Sequence, residues 1–214
     1  TIDPEAFISE KMEEKSMSTY RELPILHAVA IPPDRFKVLP WKKGKRSTAI
    51  KNYACFPFQA SGTVPVGNVI ADGVHLAEDH NLSTLWVDKD GTVGFGKTPP
   101  EGAMQAVSGF PLLADGREYT LEEVLSEGWD TSPLYATTHA ILGYGDDGLL
   151  HYYVFTSAST TAAATFEEIL DTARQLGLKY VLLGDGGGST ILDFGGANKV
   201  VSAGDRQLAA LIQF

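Results

Sequence analysis

YVLLGDGGGSTILDF, residues 180–194, is the stretch that decides how the rest of the chain reads. The runs Tyr180–Leu183 and Thr190–Phe194 have the short, apolar character of strands. Between them, Gly184, Gly186, Gly187 and Gly188 remove the side chain from four of five positions. A hairpin turn requires one or two glycines, not four. The surplus predicts a place where a ligand touches bare backbone and where N–H groups could cradle an anion. Asp185 stands inside the run, and Ser189 adds a hydroxyl at its end. The plainer alternative is a glycine-rich hairpin in which Asp185 satisfies turn amides. A dinucleotide fingerprint does not fit, because its third glycine would fall on Ser189 and no helical pattern follows.

Upstream of this stretch the spacing predicts a helix. Thr165 and Glu168 form a capping box, and Phe166, Ile169, Leu170, Ala173 and Leu176 follow with helical spacing. Gly177 is the stop. A second helix is predicted from Thr120, with Glu123 as its box partner and Gly128 as its stop. Elsewhere the text is strand-like: HAVAI (27–31), STLWV (83–87), LLHYYVF (149–155), KYVLL (179–183), STILDF (189–194) and LAALIQF (208–214). Turn signals such as IPPD, WKKGKR, DKDG, LADG, GDDG and GGANK separate these runs. Strands outnumber helices and do not alternate regularly with them. The expectation is an α+β fold, with a mixed, largely antiparallel sheet and two or three packed helices.

The chain has 214 residues, 43% of them hydrophobic, which suits one generous domain or two tight ones and argues against disorder. No apolar run approaches the roughly 20 residues that span a bilayer. The chain starts at Thr1 rather than Met, as it would after loss of a leader or of a larger parent. Cys55 is the lone cysteine, which excludes an intrachain disulfide and a cysteine-cluster zinc site. The net charge of −10 argues against non-specific nucleic-acid binding. Residues 21–51 nevertheless hold eight of the 17 basic residues and only two acids. Such a patch on an acidic body could receive a small anion, or could be a solvated loop.

Other motifs carry less. GTVGFGKT at 91–98 matches a phosphate-loop pattern, but Pro99 and Pro100 follow where a helix must begin. Asp88 and Asp90 fail the EF-hand register, since Thr92 and Val93 fall where a ligand and a glycine are needed. His75 and His80 lack the spacing of a helical zinc pair. Residues 49–73 place Asn52 beside an aromatic-rich run, with Gly67, Asn68 and Asp72 on a turn-rich segment.

Taken in order, the pieces resemble the phosphodiester glycosidase family. The matching text is Asn52, GNVIADG at 67–73, SGFPLL at 108–113 and HAILG at 139–143. The Thr165 helix, GDGGGST at 184–190 and Arg206 complete the order. His139 stands where the family has an arginine, Tyr53 and Ala54 replace glycines, and Gly184 replaces a leucine. Residues 1–20, polar and charged, read as an N-terminal helical or flexible extension; the resemblance covers about residues 25–214, within an expected domain over residues 21–214. It implies hydrolysis of the bond between a sugar's anomeric carbon and a phosphodiester phosphate, releasing sugar and a phosphomonoester. A glycosyl phosphodiester would be the partner, with no nucleic acid; the oligomeric state is left open. Asp185, Asp72, Arg206 and His139 are the expected catalytic groups. Asn52, Asn68, Gly186, Gly187, Gly188 and Ser189 are the expected substrate binders. His139 would meet phosphate as a cation below its ordinary pKa of about 6.5, or serve as a core histidine. The sequence demands no cofactor and leaves room for a divalent cation. An extracytoplasmic or virus-associated setting fits the resemblance. The alternative is a non-enzymatic module that binds a phospho-sugar or nucleotide within a larger envelope or virus protein.

Overall fold

A strand buried on both faces reads as a continuous apolar run, whereas a half-exposed strand alternates. Leu150–Phe155 is such a strand. Tyr152 and Val154 face one cluster of core residues, and Tyr153 and Phe155 face another. The computed structural model describes residues 17–23, 26–60, 63–131, 138–156, 166–202 and 206–214. Leu150–Phe155 lies third in a seven-stranded sheet, between Leu26–Ile31 and His139–Gly145. Leu178–Gly184, Phe110–Ala114 and Arg117–Glu118 follow on one side, and Thr19–Leu23 closes the other edge.

Two five-stranded sheets and a two-stranded ribbon complete the described residues. One sheet runs Val93–Gly96, Thr84–Asp88, Ala103–Ser108, Val69–Ala71, Val74–Ala77. The other runs Ala197–Val201, Ile191–Phe194, Tyr53–Ala54, Gln207–Gln213, Lys37–Gly44. One core joins all three: Val29, Leu142 and Leu182 meet Leu85 and Val107 from the second sheet and Leu192 and Ile212 from the third. Each such side chain contributes about 1.5–3 kcal/mol by leaving water.

The helices cover only the opposite face of the seven-stranded sheet. Helix Leu121–Ser126 brings Val124, and helix Phe166–Gln175 brings Ile169, Leu170 and Ala173, against Phe110, Ile141, Val181 and Leu183. The first helix has the expected capping box: the Thr120 hydroxyl accepts from the Glu123 N–H while the Glu123 carboxylate accepts from the Thr120 N–H. Thr165, the expected cap of the second, lies outside the described residues. Gly128 and Gly177 take positive φ just past the two helices, as helix stops do.

The α+β expectation is therefore corrected. The fold is mostly β: four sheets, antiparallel at every described pairing, with two α-helices of six and ten residues among the described residues. The reason is where the apolar strand faces go. Packing sheets on sheets buries most of them, so helices are needed on one face only. The segment 91–98 forms no phosphate loop. Val93–Gly96 is a strand paired antiparallel with Thr84–Asp88 through a turn closed by the Gly91 N–H on the Asp88 carbonyl, 3.1 Å. Gly94 lies against the Trp86 indole, where a side chain would collide.

Candidate active site

Leu178–Gly184 and His139–Gly145 pair antiparallel, with Ala140 opposite Gly184. One residue further along each strand brings His139 opposite Asp185. The Asp185 N–H donates to the Phe56 carbonyl at 2.8 Å, and the Gly187 N–H donates to the Thr138 carbonyl at 3.1 Å. Gly187–Ser189 then forms one 3-10 turn, with Ser189 N–H on the Gly186 carbonyl at 3.1 Å. Here glycine is required twice. A β-carbon on Gly186 would collide with the Thr138 carbonyl oxygen, and one on Gly184 would collide with the Phe56 ring. The glycine run is thus docked against the body of the protein. It is not a solvent-facing loop tip.

Lys45, fully buried, pins the far side of the turn. Its ammonium donates to the Gly188 carbonyl at 2.9 Å, the Ser202 carbonyl at 2.9 Å and the Ser202 hydroxyl at 2.8 Å. The Ser202 hydroxyl in turn donates to the Gly188 carbonyl at 2.9 Å. Arg206 arrives from the neighbouring strand: Gln207 pairs with Gly44, so Arg206 comes opposite Lys45, with its side chain exposed.

The electrostatics tie these groups together. Burial pushes the Asp185 carboxyl above the usual carboxylate range. The Arg206 charge and the Gly186 N–H pull against that shift without cancelling it. Burial also pushes the Cys55 thiol well up, reinforced by the Asp185 charge and opposed by Arg206 and Lys45. The Tyr152 hydroxyl donates to the Cys55 carbonyl at 2.7 Å, closing the floor of the cluster.

Seven of the ten sequence-predicted residues therefore come together: Asp185, His139, Arg206, Gly186, Gly187, Gly188 and Ser189. His139 and Ser189 are buried, whereas Gly188 and Arg206 are exposed. Of the three glycine N–H groups, that of Gly187 is spent on Thr138 and that of Gly186 faces Asp185. The N–H of Gly188 makes no hydrogen bond to the described residues.

The other three lie elsewhere. Asp72 occupies, at φ 47°, the exposed hairpin turn between Val69–Ala71 and Val74–Ala77, and accepts from the Gln105 amide at 2.7 Å. Asn68 is fully buried, its amide spent on the Asp79 carbonyl, Thr84 Oγ1, the Lys97 carbonyl and the Asp79 N–H. Asn52 accepts from the Gly195 N–H at 2.7 Å and lines an open cleft of about 600 Å³ with Arg35, Lys37 and Lys51. The basic segment is thus divided between that cleft, the turn held by Lys45 and the edge strand Lys37–Gly44.

Lys45 is the residue that sequence reasoning missed. WKKGKR reads as a charged turn, and nothing local marks which of its cations turns inward. Among the described residues, no group of three or more His, Cys, Asp or Glu side chains is placed to hold a metal ion, and no helix is long and apolar enough to cross a membrane.

With this geometry in place, comparison defines the class. The family model described as phosphodiester glycosidase matches residues 45–213, and the chain belongs to that family. Its fold is similar to that of zebrafish N-acetylglucosamine-1-phosphodiester α-N-acetylglucosaminidase, the catalytic domain auto-inhibited by its pro-peptide. That likeness has a TM-score of 0.71 at 14% identity, over 92% of this chain and 81% of that one. A hypothetical protein from Synechocystis is similar with a TM-score of 0.69 at 12% identity, over 92% of this chain and 61% of that one. No curated protein sequence matches at a significant level.

Proposed function

We propose that this chain hydrolyses glycosyl phosphodiesters at the bond between the anomeric carbon and the phosphate oxygen. Water supplies a hydroxyl to the sugar, and the phosphate departs as a phosphomonoester. Family membership supports the reaction class, and the name of the zebrafish enzyme supports the phosphodiester-linked sugar. One observation carries the proposal: a half-buried carboxyl, Asp185, feels the Arg206 charge at a docked glycine turn that leaves one N–H unspent.

An anomeric phosphate is already a good leaving group. The site must chiefly stabilise charge as the bond lengthens. Donors preorganised around the departing oxygens do this without reorganising during the reaction. Arg206, the Gly188 N–H and His139 take that role. The Asp185 carboxylate faces the electron-poor anomeric carbon, or removes a proton from the attacking water. Asp72, Asn68 and Asn52 are left out of this assignment, because their polar groups serve other turns and strands.

The test is a panel of sugar-1-phosphodiesters, with release of free sugar as the readout. Wild-type protein should turn over at least one member, and Asp185→Asn should reduce kcat by about 10³-fold or more, the scale of losing a central catalytic group. A wild-type protein that leaves the whole panel intact would overturn the proposal. So would an Asp185→Asn variant that retains full activity.

A further inference from the structure

We propose that the exposed cations on and around the Lys37–Gly44 edge strand form a track that holds a linear chain of repeating phosphodiesters, so that the substrate is an anionic polymer and not a lone small diester. This rests on the reading of the Asp185 turn as the hydrolytic site.

The charge is segregated. Residues 35–51 hold seven of the 17 basic residues and no acid, whereas the whole chain carries −10. Elsewhere cations pair with carboxylates: Lys97 with Glu127, Arg117 with Glu123, Arg174 with Glu118 and Asp171, and Lys179 with Asp115. Lys37, Lys42, Lys43, Arg46 and Lys51 are exposed and make no ion pair among the described residues. Lys89 is also exposed and makes no ion pair among the described residues, but it stands between Asp88 and Asp90.

The strand sets these charges in a line that ends at the turn. Lys37 pairs with Gln213 beside the open cleft of about 600 Å³ that Arg35, Lys37 and Lys51 line. At the other end Gly44 pairs with Gln207, next to Lys45, whose ammonium donates to the Gly188 carbonyl at 2.9 Å. An eight-residue strand puts roughly 23 Å between those ends, at about 3.3 Å per step. Between them the strand bulges. Leu208 pairs with Lys43 but Ala210 pairs with Pro40, and Lys42 takes φ 55°. A bulge breaks the alternation of side chains. The adjacent Lys42 and Lys43 are accordingly both exposed.

Distance decides between a small substrate and a long one. Screening at physiological salt has a length of about 8 Å. Cations at the cleft therefore contribute almost nothing to a phosphate held at the turn, and meet anions only if the substrate extends along the strand. Lysines, a proline and a bulge also guard an edge strand against pairing with other chains. That accounts for Pro40 and the bulge, but it does not call for Arg46 or Lys51, which lie off the strand. Single-stranded nucleic acid has the same repeating charge, but it needs free aromatic rings for its bases. Trp41, the only ring in residues 37–44, is stacked on Tyr53 with centroids 6.4 Å apart and has the Lys43 ammonium 5.4 Å from its centroid.

The experiment measures, by calorimetry at two salt concentrations, binding of an oligo(glycerol phosphate), which is a base-free chain of phosphodiesters. A single glycerol phosphodiester unit and an oligothymidylate of equal charge are the comparison probes. The proteins are wild type, the double variants Lys37→Gln/Lys51→Gln and Lys42→Gln/Lys43→Gln, and Lys89→Gln. Every substituted position is exposed, so the variants retain the fold, which circular dichroism checks. Wild type should bind the oligomer about tenfold or more tighter than the single unit, with an affinity that falls as salt rises. Each double variant should lose about fivefold or more of that affinity, and Lys89→Gln should lose none. Equal binding of oligomer and single unit would overturn the proposal. So would double variants that bind the oligomer as wild type does. Oligothymidylate bound as tightly as the oligomer, or more tightly, would overturn it too and assign the track to nucleic acid. No turnover is read, so failure here is distinct from failure of the panel of sugar phosphodiesters.

Discussion

Asp185 is a carboxyl whose acidity the fold pushes in the unfavourable direction. Its folded pKa lies above the unfolded one. Its contribution to stability is therefore full below the ordinary carboxylate pKa and is lost as pH rises through the folded value. At pH 7 the ionised group opposes folding. Asp185→Asn should accordingly melt at a higher temperature than wild type at pH 7, and the gap should close towards pH 3; calorimetry at the two pH values reads this directly. The same reasoning applies to turnover. If the carboxylate is the working form, the acid limb of kcat/KM lies above the usual aspartate range. Arg206→Gln, which removes a charge that favours ionisation, should move that limb to higher pH. A limb that stays in place would separate Arg206 from the Asp185 titration. The docked turn that carries Asp185 and Ser189 was legible, because four glycines in five positions are more than a plain hairpin uses. Lys45 was not, since burial of one cation within a charged run depends on residues 143 and 157 positions away in sequence.

Elements were legible where local chemistry alone settles them. Thr120 and Glu123 cap their helix by bonds that span three residues, so the sequence contains the whole motif. Thr120→Ala should cost about 1 kcal/mol, the usual value of such a cap. For a domain of this size that lowers Tm by roughly 2–4 °C. Turnover should be unchanged, because the helix packs on the sheet face through Val124 and none of its residues touches the Asp185 turn. Each of the six best strand readings contains a strand, since short apolar runs between turn signals leave few alternatives. The role of GNVIADG was not legible. Gly67 at φ 83° and Asp72 at φ 47° serve turns, and Asn68 ties together Asp79, Thr84 and Lys97. Text that resembles a substrate-binding motif can equally specify backbone geometry, and a single sequence contains nothing that separates the two.

For the molecule as a whole, three sheets share one core, so damage at its centre should be felt everywhere. Leu142 is fully buried in that core. Leu142→Ala should cost about 2–5 kcal/mol through lost burial and a residual cavity. Trp86 in the second sheet and Trp41 in the third report on regions that Leu142 does not belong to. Urea unfolding followed by tryptophan fluorescence and by far-ultraviolet circular dichroism should shift to one common lower midpoint. Separate midpoints would show that the sheets unfold independently and share less than their packing implies.

The sequence by itself determined the strands, the capped helix, the exclusion of a phosphate loop and the glycine turn around Asp185. These depend on side-chain pattern and turn stereochemistry over a few residues. Tertiary structure decided that sheets, not helices, cover most of the apolar surface. It also decided which polar residues meet. Asp185, His139, Arg206 and Lys45 converge because two separate strand pairs end at the same place, while Asn52, Asn68 and Asp72 are drawn into other turns. Strand pairing joins residues far apart in sequence, and its register is set by the burial of whole sheet faces, which no local stretch of sequence specifies.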